Sequence, residues 1–192
     1  GINSFDASVV SGNSAASNVD SIIYNVINAF YMAAASFIGQ NYGAGNKQRV
    51  RRTFWISAAF AFGTALLLGI LFSVFGRSFL RIFTDSEAVI DAGMYRTVIL
   101  GLSYCLSVFM DLPIAASRGL GKTVGPTVIV LLGSCVFRII WVYTIFAYFG
   151  TIVSLYLLHI VSWFITAAFE IVMYRRYFHE QTSIFKKNPV MV

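Results

Sequence analysis

Gln40–Arg52 reads QNYGAGNKQRVRR. Two glycines and four cations, Lys47, Arg49, Arg51 and Arg52, stand between an apolar run that ends at Ile38 and a second, Thr53–Phe75, that holds no charge. A short basic loop between two long apolar segments reads as the turn of a chain that leaves a bilayer and re-enters it. Loops rich in Lys and Arg stay on the cytoplasmic side during insertion, so this one also orients its neighbours.

Composition supports the membrane reading. The chain is 58 % hydrophobic and 11 % charged, with a mean hydropathy of +0.75. Soluble domains carry about a quarter charged residues. The net charge of +6 does not imply a nucleic-acid partner, because the cations sit at the ends of apolar runs and form no exposed stripe. Cys105 and Cys135 lie within apolar runs, where cysteine serves as a small packing residue.

Working outward, five spans emerge at about 14–39, 53–75, 97–117, 127–149 and 152–174, each long enough to cross roughly 30 Å of hydrocarbon. Residues 1–13 read as the end of a preceding helix and an outer loop. Gly63 and Gly69 permit close helix contact in the second span. Gly76–Arg96 reads as a partly interfacial amphipathic turn. Residues 175–192 form a basic tail.

Alternating sides puts the loop at 40–52, the turn Arg118–Thr123 and the tail together, with Lys47, Arg49, Arg51, Arg52, Arg118, Lys122, Arg175, Arg176, Lys186 and Lys187. The other side holds Arg77, Arg81 and Arg96. This asymmetry predicts a multi-pass protein of the plasma (inner) membrane with a cytoplasmic C-terminus.

Asp111 is the sharpest functional candidate. A carboxylate inside a span costs about 2.5–3.5 kcal/mol on insertion scales and marks ion or substrate pathways. Tyr104, Ser107 and Asp111 share one helical face. Pro113 lacks the N–H that would bond the Phe109 carbonyl, leaving that oxygen available to a hard cation such as Na⁺. Arg138, the intramembrane cation, is a poor proton carrier. The helical rise puts Asp111 about 9 Å and Arg138 about 16 Å from the basic side, near enough for a structural ion pair.

Asn18, Ser21, Asn25, Asn28 and Met32 recur on one face of the first span. The asparagines either glue helices together or line a wet cavity with Tyr24. Asp20 is expected in water near the outer end, His159 as a neutral packing residue, and Glu170 reaching the basic boundary beside Arg175 or Arg176. Gly119–Thr123, GLGKT, is no nucleotide-binding loop: Ala116 replaces the required first glycine and no strand precedes it. No nucleophile–base pair or metal-ligand cluster appears, so no enzymatic activity and no cofactor beyond a coupling ion is expected.

The blocks INSFxxxVVxGNxAxxN, NAFYMAAASFIGQNYGAGNKQRV, ASRGLGKTVGPT and FRIIW together resemble the C-terminal half of a multidrug and toxic compound extrusion (MATE) transporter. The resemblance runs from the end of that family's seventh helix through its twelfth. It implies an all-α polytopic fold, with five helices forming most of one six-helix lobe of a twelve-helix protein. It also implies alternating-access efflux of cationic or amphiphilic small molecules in exchange for Na⁺ or H⁺, an N-terminal lobe as partner, and an acid on the tenth helix that handles the cation. A lipid-linked oligosaccharide flippase of the same superfamily, which wants a strongly cationic cavity, and a non-transporting assembly subunit are the alternatives.

Overall fold

The computed structural model describes residues 6–187, with side chains through residue 183. Ile2–Phe5 of the first motif and the side chains of Lys186 and Lys187 lie outside the described residues. Five helices are long and apolar enough to cross a membrane: α1 (Ala7–Gly43), α2 (Lys47–Leu80), α3 (Glu87–Gly119), α4 (Val124–Phe149) and α5 (Ile152–Lys187). At 1.5 Å per residue each of the longest runs well past the hydrocarbon thickness.

The boundaries differ from the expected ones for identifiable reasons. Helix α1 starts at Ala7, so no turn separates residues 7–13 from the first span. Gly12 is a contact residue: a Cβ there would lie 2.5 Å from the Val89 carbonyl and 2.7 Å from the Gly93 N–H nitrogen. The hydroxyls of Ser14, Ser17 and Ser21 donate to carbonyls of their own helix, which lets a polar sequence stay helical.

The stretch Gly76–Arg96 is mostly helix, with only Arg81–Ser86 between α2 and α3. Arg77 bridges Glu87 and Asp91 across that turn, and Arg81 pairs with Glu87, all exposed to solvent. These pairs hold the charges that suggested an interfacial segment. Likewise residues after 174 continue α5 as helix, and the chain forms no separate tail before Lys187.

Helix α3 is central, packed against α1, α2 and α5. Its seam with α2 is built from small residues. Ala61, Ala65, Gly69 and Gly76 are buried at near-helical spacing on α2, and a Cβ on Gly69 would sit 2.5 Å from the Gly101 carbonyl. Gly63, in contrast, faces open space. With lipid as apolar as the side chains, close backbone approach supplies the attraction that water would otherwise drive.

Helix α4 packs chiefly on α5, and its contact with α3 is slight. Two π-helical turns, Leu131–Val136 and Val142–Phe146, interrupt it. Thr166 of α5 fills the space over Gly133, and the Trp141 indole N–H donates to the Ser154 carbonyl at 3.0 Å. Many large apolar side chains remain exposed on the outer surface of the bundle, among them Phe60, Leu67, Phe75, Ile139 and Phe164. Such a surface suits lipid. Of the two cysteines, Cys105 is buried and Cys135 is exposed, so only the first is a packing residue in this chain.

Candidate functional site

Helix α3 carries Tyr104, Ser107 and Asp111 on one side, and α1 crosses that side with Tyr24 and Tyr31. Ser107 is buried and donates to the Tyr104 carbonyl at 2.9 Å. Its hydroxyl also faces the Asp111 carboxyl one turn on. Tyr24 and Tyr31 both lie within electrostatic reach of Asp111. The Tyr104 ring packs against Trp163 of α5, centroids 5.3 Å apart, and its hydroxyl lies within electrostatic reach of Asp20, Arg96 and Asp111. The arrangement is a half-buried acid with one serine hydroxyl beside it and three phenols and Arg118 within electrostatic reach, and no ion pair to it forms among the described residues. Hydroxyl and carboxyl oxygens are donors that suit a proton or a hard monovalent cation, and they offer no thiolate or imidazole for a soft metal.

Tyr31 belongs to this group although no charge or motif in the sequence marks it. Its hydroxyl is buried without a hydrogen-bond partner. The signal was the seven-residue spacing from Tyr24, two helical turns along the same face.

Tyr24 stands at the edge of this group, where α1 turns from its packed face to an open one that carries the asparagines. Tyr24 is 45 % exposed, Asn25 is exposed and Asn28 half-buried, while Ile23, Ile27, Tyr31 and Ala34 form the packed face. The asparagine stripe therefore does not join α1 to the other four helices. It lies on a face open in this chain.

Arg138 does not pair with Asp111. Because α4 leans on α5 and barely meets α3, the guanidinium reaches the Ser162 hydroxyl, donating from Nε at 3.3 Å. Ser162 in turn donates to the Gly133 carbonyl at 2.9 Å. Arg138 is thus a brace between α4 and α5.

Two other acids are placed differently than expected. Asp20 is 6 % exposed and accepts from Arg96 Nε and Nη2 through one carboxylate oxygen, at 2.9 and 2.6 Å. Asn13 also accepts from Arg96. Glu170 does not reach Arg175 or Arg176: it is fully buried, with no hydrogen bond to either carboxylate oxygen. His159 packs its ring against Trp163, consistent with a packing role, though its Nδ1 has no partner.

A groove lined on α3 by Val108, Phe109, Leu112 and Pro113 does not include Asp111. It measures about 510 Å³, runs between α2, α3 and α5, and is walled by Trp55, Phe109, Pro113 and Tyr174, with Arg51 and Arg175 among its lining residues. It contains no acid. Among the described residues no three His, Cys, Asp or Glu side chains gather as a metal site.

The family model MatE matches residues 2–144. Among solved structures, one described as "MATE transporter ClbM in complex with Rb+" matches with a TM-score of 0.81 at 22 % sequence identity, covering 93 % of this chain and 43 % of that one. The chain therefore spans less than half the length of the transporter whose fold it shares. No curated protein sequence matches significantly.

Proposed function

Because the chain belongs to the MatE family of multi-pass membrane transporters, we propose that it is the C-terminal lobe of an ion-coupled exporter of cationic or amphiphilic small molecules. Asp111 carries the coupling ion in this reading. The supporting observation is an acid set within an apolar bundle, beside Ser107 and three tyrosines, with no ion-pair partner among the described residues. A carboxylate in such surroundings is strongly disfavoured until a cation or a proton neutralises it. That demand is what ties ion binding to helix packing.

Alternating access follows from the difference between the two states. With the site empty, the charged carboxylate favours an arrangement that admits water. With Na⁺ or H⁺ bound, the neutral site tolerates the packed arrangement around α1 and α3. A ligand shifts such an equilibrium only by its differential affinity for the two states, and a buried acid supplies a large difference. The open face of α1, with Tyr24, Asn25 and Asn28, is the surface this lobe would turn toward the N-terminal lobe and the substrate. Phenol and amide groups there would hold a flat organic cation by cation–π attraction and hydrogen bonds. The Rb⁺ bound by the structurally similar transporter favours a monovalent cation as the coupling species. Lys and Arg polarity would put the 40–52 loop and the C-terminal end in the cytosol.

The test is transport by the full-length protein in vesicles. An organic dye cation should accumulate in the vesicles against its gradient when an outward-directed Na⁺ or proton gradient is imposed, the ion leaving as the dye enters, and should not when both are collapsed. Accumulation indifferent to both gradients would refute ion coupling.

A further inference from the structure

Glu170 stands in the middle of α5, on the seam with α3. Met110 and Ile114 pack against Trp163 and Ala167 on one side of it, and Ala116 and Leu120 pack against Tyr174 on the other. This register sets Glu170 opposite the turn Ile114–Ser117. The side chain has no exposed surface, and neither carboxylate oxygen has a hydrogen-bond partner. The hydroxyls of Ser117, on that turn, and of Thr166, one turn back on α5, are also buried without partners.

Complete enclosure within this one chain has a consequence. No residue of another lobe and no lipid headgroup can reach the carboxyl while the seam is closed. An ionised carboxylate without a donor in such a place is strongly disfavoured. The charged groups that face it, Arg118 and Asp111, both belong to α3, and Arg118 lies exposed near the end of that helix. From α4 the segment Val124–Val136 offers no charged side chain. The acid form removes the conflict, since a neutral carboxyl needs no counter-charge.

We infer that Glu170 is a second proton-binding site of the lobe, set apart from Asp111: it holds a proton while α3 and α5 are closed around it and releases it when the seam parts. On release the carboxyl O–H bond breaks, and the proton passes to water admitted between the helices. The carboxylate that remains can then accept from the Ser117 and Thr166 hydroxyls and attract Arg118. Closing the seam requires the proton to return. The role in transport rests on the exporter reading above; the proton itself does not.

The experiment uses the full-length protein in lipid nanodiscs. Infrared spectra at neutral pH should show a carboxylic-acid C=O stretch that is lost in Glu170→Gln and kept in Asp111→Asn. Glu170→Gln mimics the protonated side chain, so it should fold and melt as the wild type does. Driven by a gradient in vesicles, its turnover should fall about tenfold or more while half-saturation by the dye stays within about twofold, the pattern of a lost conformational step. An acid C=O band that is absent from the wild type or unchanged in Glu170→Gln, a Glu170→Gln protein that fails to fold, or wild-type turnover in that variant would each overturn the inference. A wild type that keeps the acid band yet transports under no gradient would remove the exporter reading and leave the proton on Glu170.

Discussion

Arg96 on α3 and Asp20 on α1 form a two-pronged ion pair, both guanidinium contacts falling on one carboxylate oxygen at 2.9 and 2.6 Å. The pair joins the two helices that bear the candidate ion site, one helical stretch away from it. Both side chains are largely sheltered, at 17 % and 8 % exposure. Removing one member strands the other, so Asp20→Ala should destabilise the protein by about 3–5 kcal/mol. Glu87→Gln, which breaks exposed contacts to Arg77 and Arg81, should leave the unfolding temperature unchanged. Thermal unfolding of both variants in detergent checks the contrast. Equal effects would mean that the buried pair is not a joint of the lobe.

Glycines in one helix should behave oppositely. A methyl group on Gly69 meets the Gly101 carbonyl at 2.5 Å, so Gly69→Ala must push α2 from α3 and should cost about 1–3 kcal/mol. Gly63 meets nothing within 4 Å, and Gly63→Ala should be neutral or stabilise by up to about 1 kcal/mol through helix propensity. Comparing the two melting temperatures is sufficient.

Ser162 is the keystone of the α4–α5 brace, accepting from Arg138 and donating to Gly133. Ser162→Ala should lose about 1–3 kcal/mol, because a helix carbonyl and a guanidinium both lose a partner. If Arg138 instead worked through Asp111, Ser162→Ala would be silent and Asp111→Asn would be the destabilising change. Unfolding of the two single variants separates these outcomes.

The membrane fold was legible because its signals are local. Apolar runs, basic turns and a lone acid can each be read without knowing what faces what, and the five spans and the strip Tyr104, Ser107, Asp111 came from those. Cross-helix partners were not legible. A helix that is apolar all round has no periodicity that fixes its rotation, so nothing in the sequence showed that Arg138 turns to Ser162 or that Asp20 meets Arg96. Glu170 reads as a boundary residue in a span that ends near 174, whereas helix α5 continues to Lys187. Gly12 looked like a turn because a glycine used for close contact and a glycine used for a bend are the same letter.

Sidedness gives another prediction. Gln48 in the basic loop and Asp85 in the α2–α3 turn lie at opposite ends of α2, both exposed. With other cysteines replaced, Gln48→Cys should react with a membrane-impermeant maleimide only after the membrane is opened, and Asp85→Cys should react in intact cells. The reverse pattern would invert the proposed topology and the direction of transport.

The most direct measurement of the central claim compares Asp111→Asn with the wild type in the same vesicles. The variant should lose uphill accumulation of the dye under both Na⁺ and pH gradients, yet still exchange labelled for unlabelled dye when no gradient is present. Accumulation at the wild-type level in Asp111→Asn would contradict the account, because the coupling ion would then be carried elsewhere.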